Sequence, residues 1–235
     1  MKRAFIFDVD GTLTPSRQRI DPEFEKYFLE FCGKNEVYLV TGSDKPKTLE
    51  QVGKDIYDAC SGVYQCNGNE LWKKTWLVKK NDWRPPYKVQ KYLTNLVYKS
   101  KYPVKTGRHI EYRSGMVNFS TVGRNADDYQ RHEYFNWDIE NGERNKIVKE
   151  LNKRHPELTA VIGGMISIDI YPRSADKSQI VRDLNEYDAL HFFGDKIDDK
   201  GNDYSLALVI TLGKRGTAQN VTDWKDTWSR IKNYE

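Results

Sequence analysis

A chain of 235 residues that is 38% hydrophobic and 13% aromatic has room for one large or two small domains with an aromatic-rich core. No apolar run approaches 18 residues and the chain opens directly on a strand, so neither a membrane span nor a signal peptide is expected. The formal charge of +4 points to no partner by itself, and three cysteines without metal-type spacing (Cys32, Cys60, Cys66) suit a reducing compartment, so a cytoplasmic protein is expected.

The first element is a buried strand, Ala4-Phe5-Ile6-Phe7, which delivers Asp8-Val9-Asp10-Gly11-Thr12-Leu13-Thr14 to its carboxyl end. In open α/β sheets ligands bind beyond the carboxyl ends of the strands, and residues i and i+2 share a side, so Asp8 and Asp10 are expected to converge. Asp21-Pro22-Glu23 is a helix start: an N-cap carboxylate, proline at the first helical position, then an acid in the first turn. Phe24, Tyr27, Phe28 and Phe31 form one apolar stripe, and Gly33 is a stop signal. Val37–Val40 is the next strand, Asp44-Lys45-Pro46 the next helix start, and Val63-Tyr64 a short third strand. This βαβ order implies a parallel sheet.

From Lys73 to Arg113 nine Lys and three Arg face only Asp82 and Glu111, a net of +10. This reads either as a solvated basic face or as a field that draws in an anionic ligand. Trp72, Trp76, Trp83 and Tyr87 interleave with the basic residues, but no nucleic-acid motif accompanies them and no nucleic-acid partner is expected. Val89, Leu93, Leu96 and Val97 predict a helix. Ile110–Arg113 and Met116–Ser120 predict a hairpin through Ser114-Gly115. A second helix carries Ile147, Val148 and Leu151, followed by a strand at Leu158–Ile162 and an alternating segment from Met165 to Tyr171. Antiparallel strands with helices make a separate α+β layer inserted into the first domain. The βα pattern resumes at Asp176, with a helix, a strand at Ala189–Phe193, a last strand at Val209–Leu212 and a helix over Val221–Ile231. The domains are therefore read as 1–79 with 173–235, and 80–172.

Phe192-Phe193-Gly194-Asp195 repeats the logic of the opening strand, and Asn202 and Asp203 follow on the same loop. An acid and an amide with hard oxygen donors suit Mg²⁺; alone, the segment also reads as a polar turn. Thr41 or Ser43 is placed to hydrogen-bond a phosphate oxygen or to cap a helix. Lys177, at a helix start, suits phosphoryl charge. In the insert Ile166, Ile168 and Ile170 face one way and Ser167 and Asp169 the other, beside Met165. That polar face, with Arg113 and Asn118 on nearby strands, Arg124 after Gly123 and Arg131 seven residues later, points to a second phosphate site, because arginine binds phosphate through a planar fork. None of the four histidines has metal spacing, and none is assigned a catalytic role.

The string D-x-D-G-T-L-T resembles the nucleophile motif of the haloacid-dehalogenase superfamily. More narrowly, F-D-V-D-G-T-L-T-P-x-R-Q with Arg17, I-E-Y-R-S-G-M-V-N-F-S-x-V-G-R, G-G-M-I-S-I-D-I-Y-P, A-D-K-S and F-F-G-D-K-x5-N-D resemble the eukaryotic-type α-phosphomannomutases. The resemblance implies a haloacid-dehalogenase-like Rossmannoid parallel-sheet core with an inserted α+β cap. It implies an isomerase that moves a phosphoryl group between mannose 1-phosphate and mannose 6-phosphate, feeding GDP-mannose synthesis. Asp8 would be the phosphorylated nucleophile, Asp10 the acid/base, and Lys177 with Thr41 or Ser43 the charge-stabilising partners. Asp8, Asp10, Asp195, Asn202 and Asp203 would hold Mg²⁺. Arg17, Arg113, Asn118, Arg124, Arg131, Ser167 and Asp169 would bind the sugar phosphate. A hexose 1,6-bisphosphate would act as activator, and the chain would form a homodimer through the cap. Thr41, Met165 and Ile197 depart from the family's usual Gly, Gln and Thr, and the stretch from Asn67 to Arg108 is shorter. Two alternatives remain at this stage: a sugar-phosphate phosphatase on the same core, and a catalytically silent sugar-phosphate binder.

Overall fold

The computed structural model describes residues 2–173, 175–199 and 201–234. The chain divides into two compact units, Met1–Asn81 with Ala175–Glu235, and Asp82–Ser174.

The first unit begins with β1 (Arg3–Phe7), α1 (Pro22–Lys34), β2 (Glu36–Val40), α2 (Lys45–Ala59), β3 (Gly62–Gln65), β4 (Glu70–Lys73) and β5 (Trp76–Lys80). The second contains α3 (Tyr87–Lys99), β6 (Ile110–Arg113), β7 (Met116–Phe119), α4 (Asp128–Asn141), α5 (Glu143–Arg154), β8 (Leu158–Ile162) and β9 (Ile168–Pro172). The chain then re-enters the first unit with a 3₁₀ turn (Lys177–Gln179), α6 (Ile180–Asp183), β10 (Ala189–Gly194), α7 (Tyr204–Leu212), β11 (Gly216–Asn220) and α8 (Trp224–Ile231).

The first unit is one seven-stranded sheet in the order β11-β10-β1-β2-β3-β4-β5. Its first five strands run parallel, and β4 and β5 continue it as an antiparallel hairpin. Both faces of the central strands are buried, so β1 over Ala4–Phe7 and β2 over Val37–Val40 are apolar at every position rather than at alternate ones. Phe5, Phe7, Leu39, Val63 and Phe193 pack on Phe24, Phe28 and Phe31 of α1, Val52 and Ile56 of α2, and Ile231 of α8. Ala4, Ile6, Tyr38, Val40 and Phe192 face the other way, onto Ile180 of α6 and Leu206 and Ile210 of α7. Asp21 caps α1 through bonds from the Glu23 and Phe24 amides, and Asp44 caps α2 through the Lys47 amide, as the sequence predicts.

The second unit is a four-stranded antiparallel sheet, β6-β7-β9-β8. Val117, Phe119, Ile168 and Ile170 pack against Val89 and Leu93 of α3 and Ile147 and Leu151 of α5. The strand period of two then places Asn118 and Asp169 on the opposite face.

Four expectations need correction. Val209–Leu212 is the end of α7, not a strand; the last strand is β11. A short β-branched run does not distinguish strand from helix by period, and here it covers the sheet as a helix with Ile210 inward. The last helix begins at Trp224 because Asp223 caps it through the Lys225 and Asp226 amides. α1 runs one residue past Gly33. The alternating segment is a strand only from Ile168, since the Gly163 amide bonds the Ser167 carbonyl and closes a turn over Gly163–Ser167. The β4–β5 hairpin and α4 were not legible in the pattern.

Candidate active site

β1 ends at Phe7, and the next residue, Asp8, is buried at the carboxyl end of the parallel sheet. Beside it, β10 delivers Asp195. Asp203 sits on the loop that closes into α7, where its backbone amide bonds the Lys196 carbonyl. Lys177, on the 3₁₀ turn, places its ammonium between two of these groups, 2.6 Å from Asp8 Oδ1 and 2.7 Å from Asp203 Oδ1. Its side chain has no exposure to solvent. Lys196 pairs with Asp195 at 3.2 Å, and the Lys196 amide donates to Asp203 Oδ2.

The electrostatics of this cluster follow from burial. Loss of water raises the Asp8 carboxyl well above the usual carboxylate range; Lys177 opposes that, while Asp203 and Asp195 push it further up. Burial works against charge on Lys177 too, but Asp203 and Asp8 outweigh it and raise its pKa. The Asp195 carboxyl is raised, chiefly by burial.

Oxygens of Asp8, Asp195 and Asp203 lie within 4.8 Å of one another. Asp195 Oδ1 and Asn202 Oδ1 are buried with no hydrogen-bond partner among the described residues. Burying acceptors without donors is costly. The three carboxylates are hard donors and one carries an orphaned oxygen, a set that fits Mg²⁺, with the orphaned Asn202 oxygen on the residue just before Asp203. Gly11 makes the cluster possible: its φ is +83°, and a Cβ there would lie 2.5 Å from Asp195 Oδ2.

Asp10 does not join this carboxylate group. Its Oδ1 accepts from the Arg17 amide at 2.7 Å and from Gln51 Nε2 at 2.9 Å, because the chain turns away after Asp8 instead of continuing as a strand. Gln51, fully buried on α2, also donates to Thr14 Oγ1. No spacing rule links it to Asp10, and sequence reasoning missed it. Thr41 is buried and its Oγ1 accepts from the Ser43 amide, while the cap of α2 is Asp44 rather than either of this pair. Thr12 Oγ1 is buried with no partner among the described residues. Arg17 is exposed and left-handed, with φ of 62°.

In the second unit the strand register aligns Glu111 with Asn118, and Asn118 with Asp169, as a polar row across three strands. Asn118 Nδ2 donates to Asp169 Oδ1 at 2.6 Å, and Asn118 Oδ1 is buried without a partner among the described residues. Burial raises the Asp169 carboxyl, and Arg113 and Arg124 oppose the rise. Ser167 is buried beside Asp169: a Cβ on Gly163 would meet Ser167 Oγ at 2.9 Å and Asp169 Oδ2 at 3.3 Å. Arg113 and Arg124 both bond Glu111, and Arg131 bonds the Ala126 and Arg124 carbonyls. The strands thus bring Asn118, Asp169, Arg113 and Arg124 together with Glu111 as an added member, while Arg131 is placed through the Ala126 and Arg124 backbone. The signal for Glu111 was present: it lies two residues before Arg113 on the same strand face.

A family model described as eukaryotic phosphomannomutase matches residues 24–234. The chain belongs to that family. The phosphomannomutase of Dendrobium officinale is 34% identical over 235 residues, spanning 97% of this chain and 92% of that protein. That of Spinacia oleracea is 35% identical over 230 residues, spanning 94% and 91%. Among solved structures, a haloacid dehalogenase-like hydrolase from Bacteroides thetaiotaomicron aligns over 100% of both chains with a TM-score of 0.64 at 14% identity. The C-terminal domain of trehalose-6-phosphate phosphatase from C. albicans aligns over 95% of this chain and 81% of that one, with a TM-score of 0.62 at 18% identity. These structural likenesses establish the haloacid-dehalogenase-like fold. No helix among the described residues is long and apolar enough to cross a membrane.

Proposed function

We propose that this chain is a Mg²⁺-dependent phosphomannomutase that interconverts mannose 1-phosphate and mannose 6-phosphate through a phosphorylated Asp8 and a hexose 1,6-bisphosphate. The observation that carries the reading is the buried Asp8 carboxylate at the end of β1, held by Lys177 beside Asp195 and Asp203 in a member of this family.

Asp8 attacks phosphorus, the bond from phosphorus to the sugar oxygen breaks, and Asp10 gives that oxygen its proton. In the second half, Asp10 takes a proton from the incoming sugar hydroxyl as its oxygen attacks the phosphoryl group on Asp8. Covalent catalysis splits one difficult transfer into two easier ones. Proton transfer by a positioned carboxyl contributes about 10²- to 10⁴-fold. Lys177, with Thr41 or Ser43, offsets charge on the transferring group. Mg²⁺, held by Asp8, Asp195, Asn202 and Asp203 with the Asp10 carbonyl, would supply the positive charge that lets a carboxylate meet a phosphate. Gln51 and the Arg17 amide hold the Asp10 carboxylate in place. In the second unit Arg113, Arg124 and Arg131 take the phosphate that is not reacting, while Asn118, Ser167 and Asp169 take sugar hydroxyls; Arg17 binds substrate as the family resemblance implies.

The test is a coupled assay with mannose 1-phosphate, Mg²⁺ and a catalytic amount of glucose 1,6-bisphosphate, following mannose 6-phosphate and free phosphate together. Mannose 6-phosphate with little free phosphate is expected. Free phosphate without isomerised sugar would replace the mutase with a phosphatase.

A further inference from the structure

In the second unit two guanidinium groups lie side by side on one carboxylate. Glu111 Oε1 accepts from Arg113 Nε at 2.8 Å, and Glu111 Oε2 accepts from Arg124 Nε at 2.8 Å. The three side chains are 23%, 14% and 12% exposed, so the pairs are largely shielded from solvent. Burial alone would raise the Glu111 carboxyl, but Arg113 and Arg124 outweigh it and hold it at about 2. Arg113 ends β6, whereas Arg124 sits on the loop after β7, where its amide bonds the Arg108 carbonyl at 2.6 Å. The two arginines come from different elements, and two like charges held on one carboxylate repel each other.

We propose that Glu111 is the positioning residue of the phosphate site: one carboxylate oxygen on each Nε fixes both planes so that the two arginines meet one phosphate together. This rests on the reading that Arg113 and Arg124 bind the sugar phosphate. Glu111 touches no substrate atom in this role. It takes the single Nε hydrogen of each arginine and so fixes the plane of each guanidinium, and that planar fork is what matches a phosphate's oxygens. A glutamine in its place accepts from only one Nε, and its own amide hydrogens oppose the other donor.

The test is Glu111→Gln, with Glu111→Asp as the variant that keeps the charge. In the mutase assay, Glu111→Gln is expected to raise KM for mannose 1-phosphate roughly ten-fold, the scale of one lost charge-assisted hydrogen bond. Its kcat should change little, and Glu111→Asp should recover part of the loss. Acetyl phosphate carries no sugar and needs only the Asp8 centre, so its hydrolysis should be the same in all three proteins. Titration with mannose 6-phosphate should give the matching rise in Kd, and the Arg113 and Arg124 Nε–H signals in ¹H–¹⁵N spectra should lose their protection from exchange. An unchanged or lower Kd for Glu111→Gln would overturn the proposal, the lower value meaning that Glu111 merely competes with phosphate. Equal losses on acetyl phosphate would also overturn it, because the effect would then be on the fold. Absence of mutase turnover in the unaltered protein would sink the mutase reading alone, since the binding and exchange measurements still decide the role of Glu111.

Discussion

Lys177→Met is the most demanding perturbation of the core site, because methionine fills the lysine's space without its charge. The ammonium contacts Asp8 at 2.6 Å and Asp203 at 2.7 Å with no solvent exposure. At an effective dielectric of about 20 each contact is worth about 6 kcal/mol gross, most of it offset by taking the ions out of water. Removing one partner leaves the desolvation of the carboxylates uncompensated, and the loss is then about 3–5 kcal/mol. That is a large fraction of an ordinary stability of about 5–15 kcal/mol. The assay is urea unfolding of the metal-free protein near neutral pH, repeated at lower pH and with Mg²⁺. Burial and the neighbouring carboxylates already raise the Asp8 carboxyl, so protonation at lower pH should recover part of the deficit, and Mg²⁺ should recover part by supplying the missing positive charge. Turnover should fall by about 10²- to 10³-fold even when Mg²⁺ restores stability. A Lys177→Met protein that unfolds with the unaltered one, or whose deficit does not shrink at lower pH, would refute the argument that this ammonium balances the buried cluster.

The unaltered metal-free protein should itself lose stability as pH rises from the ordinary Asp range to about 8. Asp8 and Asp195 have folded-state values raised above their unfolded ones, so their contribution is complete below the ordinary Asp value and is lost as pH climbs through the raised values. Thermal melts should show Mg²⁺ stabilising more at the higher pH, and a flat profile would count against it. Gly11→Ala should cost about 1–2 kcal/mol for its left-handed backbone alone. Because its Cβ would lie 2.5 Å from Asp195 Oδ2, calorimetry should also show weaker Mg²⁺ binding, and unchanged binding would exclude Asp195 from the metal set. Asp8→Asn should abolish turnover while the metal-free melting temperature stays level or rises, since a buried charge disappears; near-native activity would remove Asp8 as nucleophile.

The local signals in the chain were reliable wherever a short-range effect decides the outcome. Asp21 and Asp44 mark helix starts because a carboxylate accepts amide bonds two or three residues on. Phe5 and Phe7 against Ala4 and Ile6 sort to opposite sheet faces because strand side chains alternate. The same alternation separated Ile168 and Ile170 from Asp169, and it contained Glu111 once Arg113 was singled out. It failed at Val209–Leu212, where a short, largely apolar run satisfies either element and the sheet decides which is formed.

By itself the sequence determined which residues arrive at strand ends: Asp8 after β1, Asp195 after β10, with Asn202, Asp203 and Lys177 on the segments beside them. The tertiary structure alone decided which of these meet. Lys177 lies 169 residues from Asp8 and 26 from Asp203, yet one buried ammonium bonds both. Gln51 reaches across 41 residues to donate to the Asp10 carboxylate. Spacing along a chain encodes contacts within a turn or a strand pair. Contacts across a sheet exist only after packing fixes the register of β10 on β1 and the seats of α2 and α7 on its two faces, and no pattern of residue types carries that information.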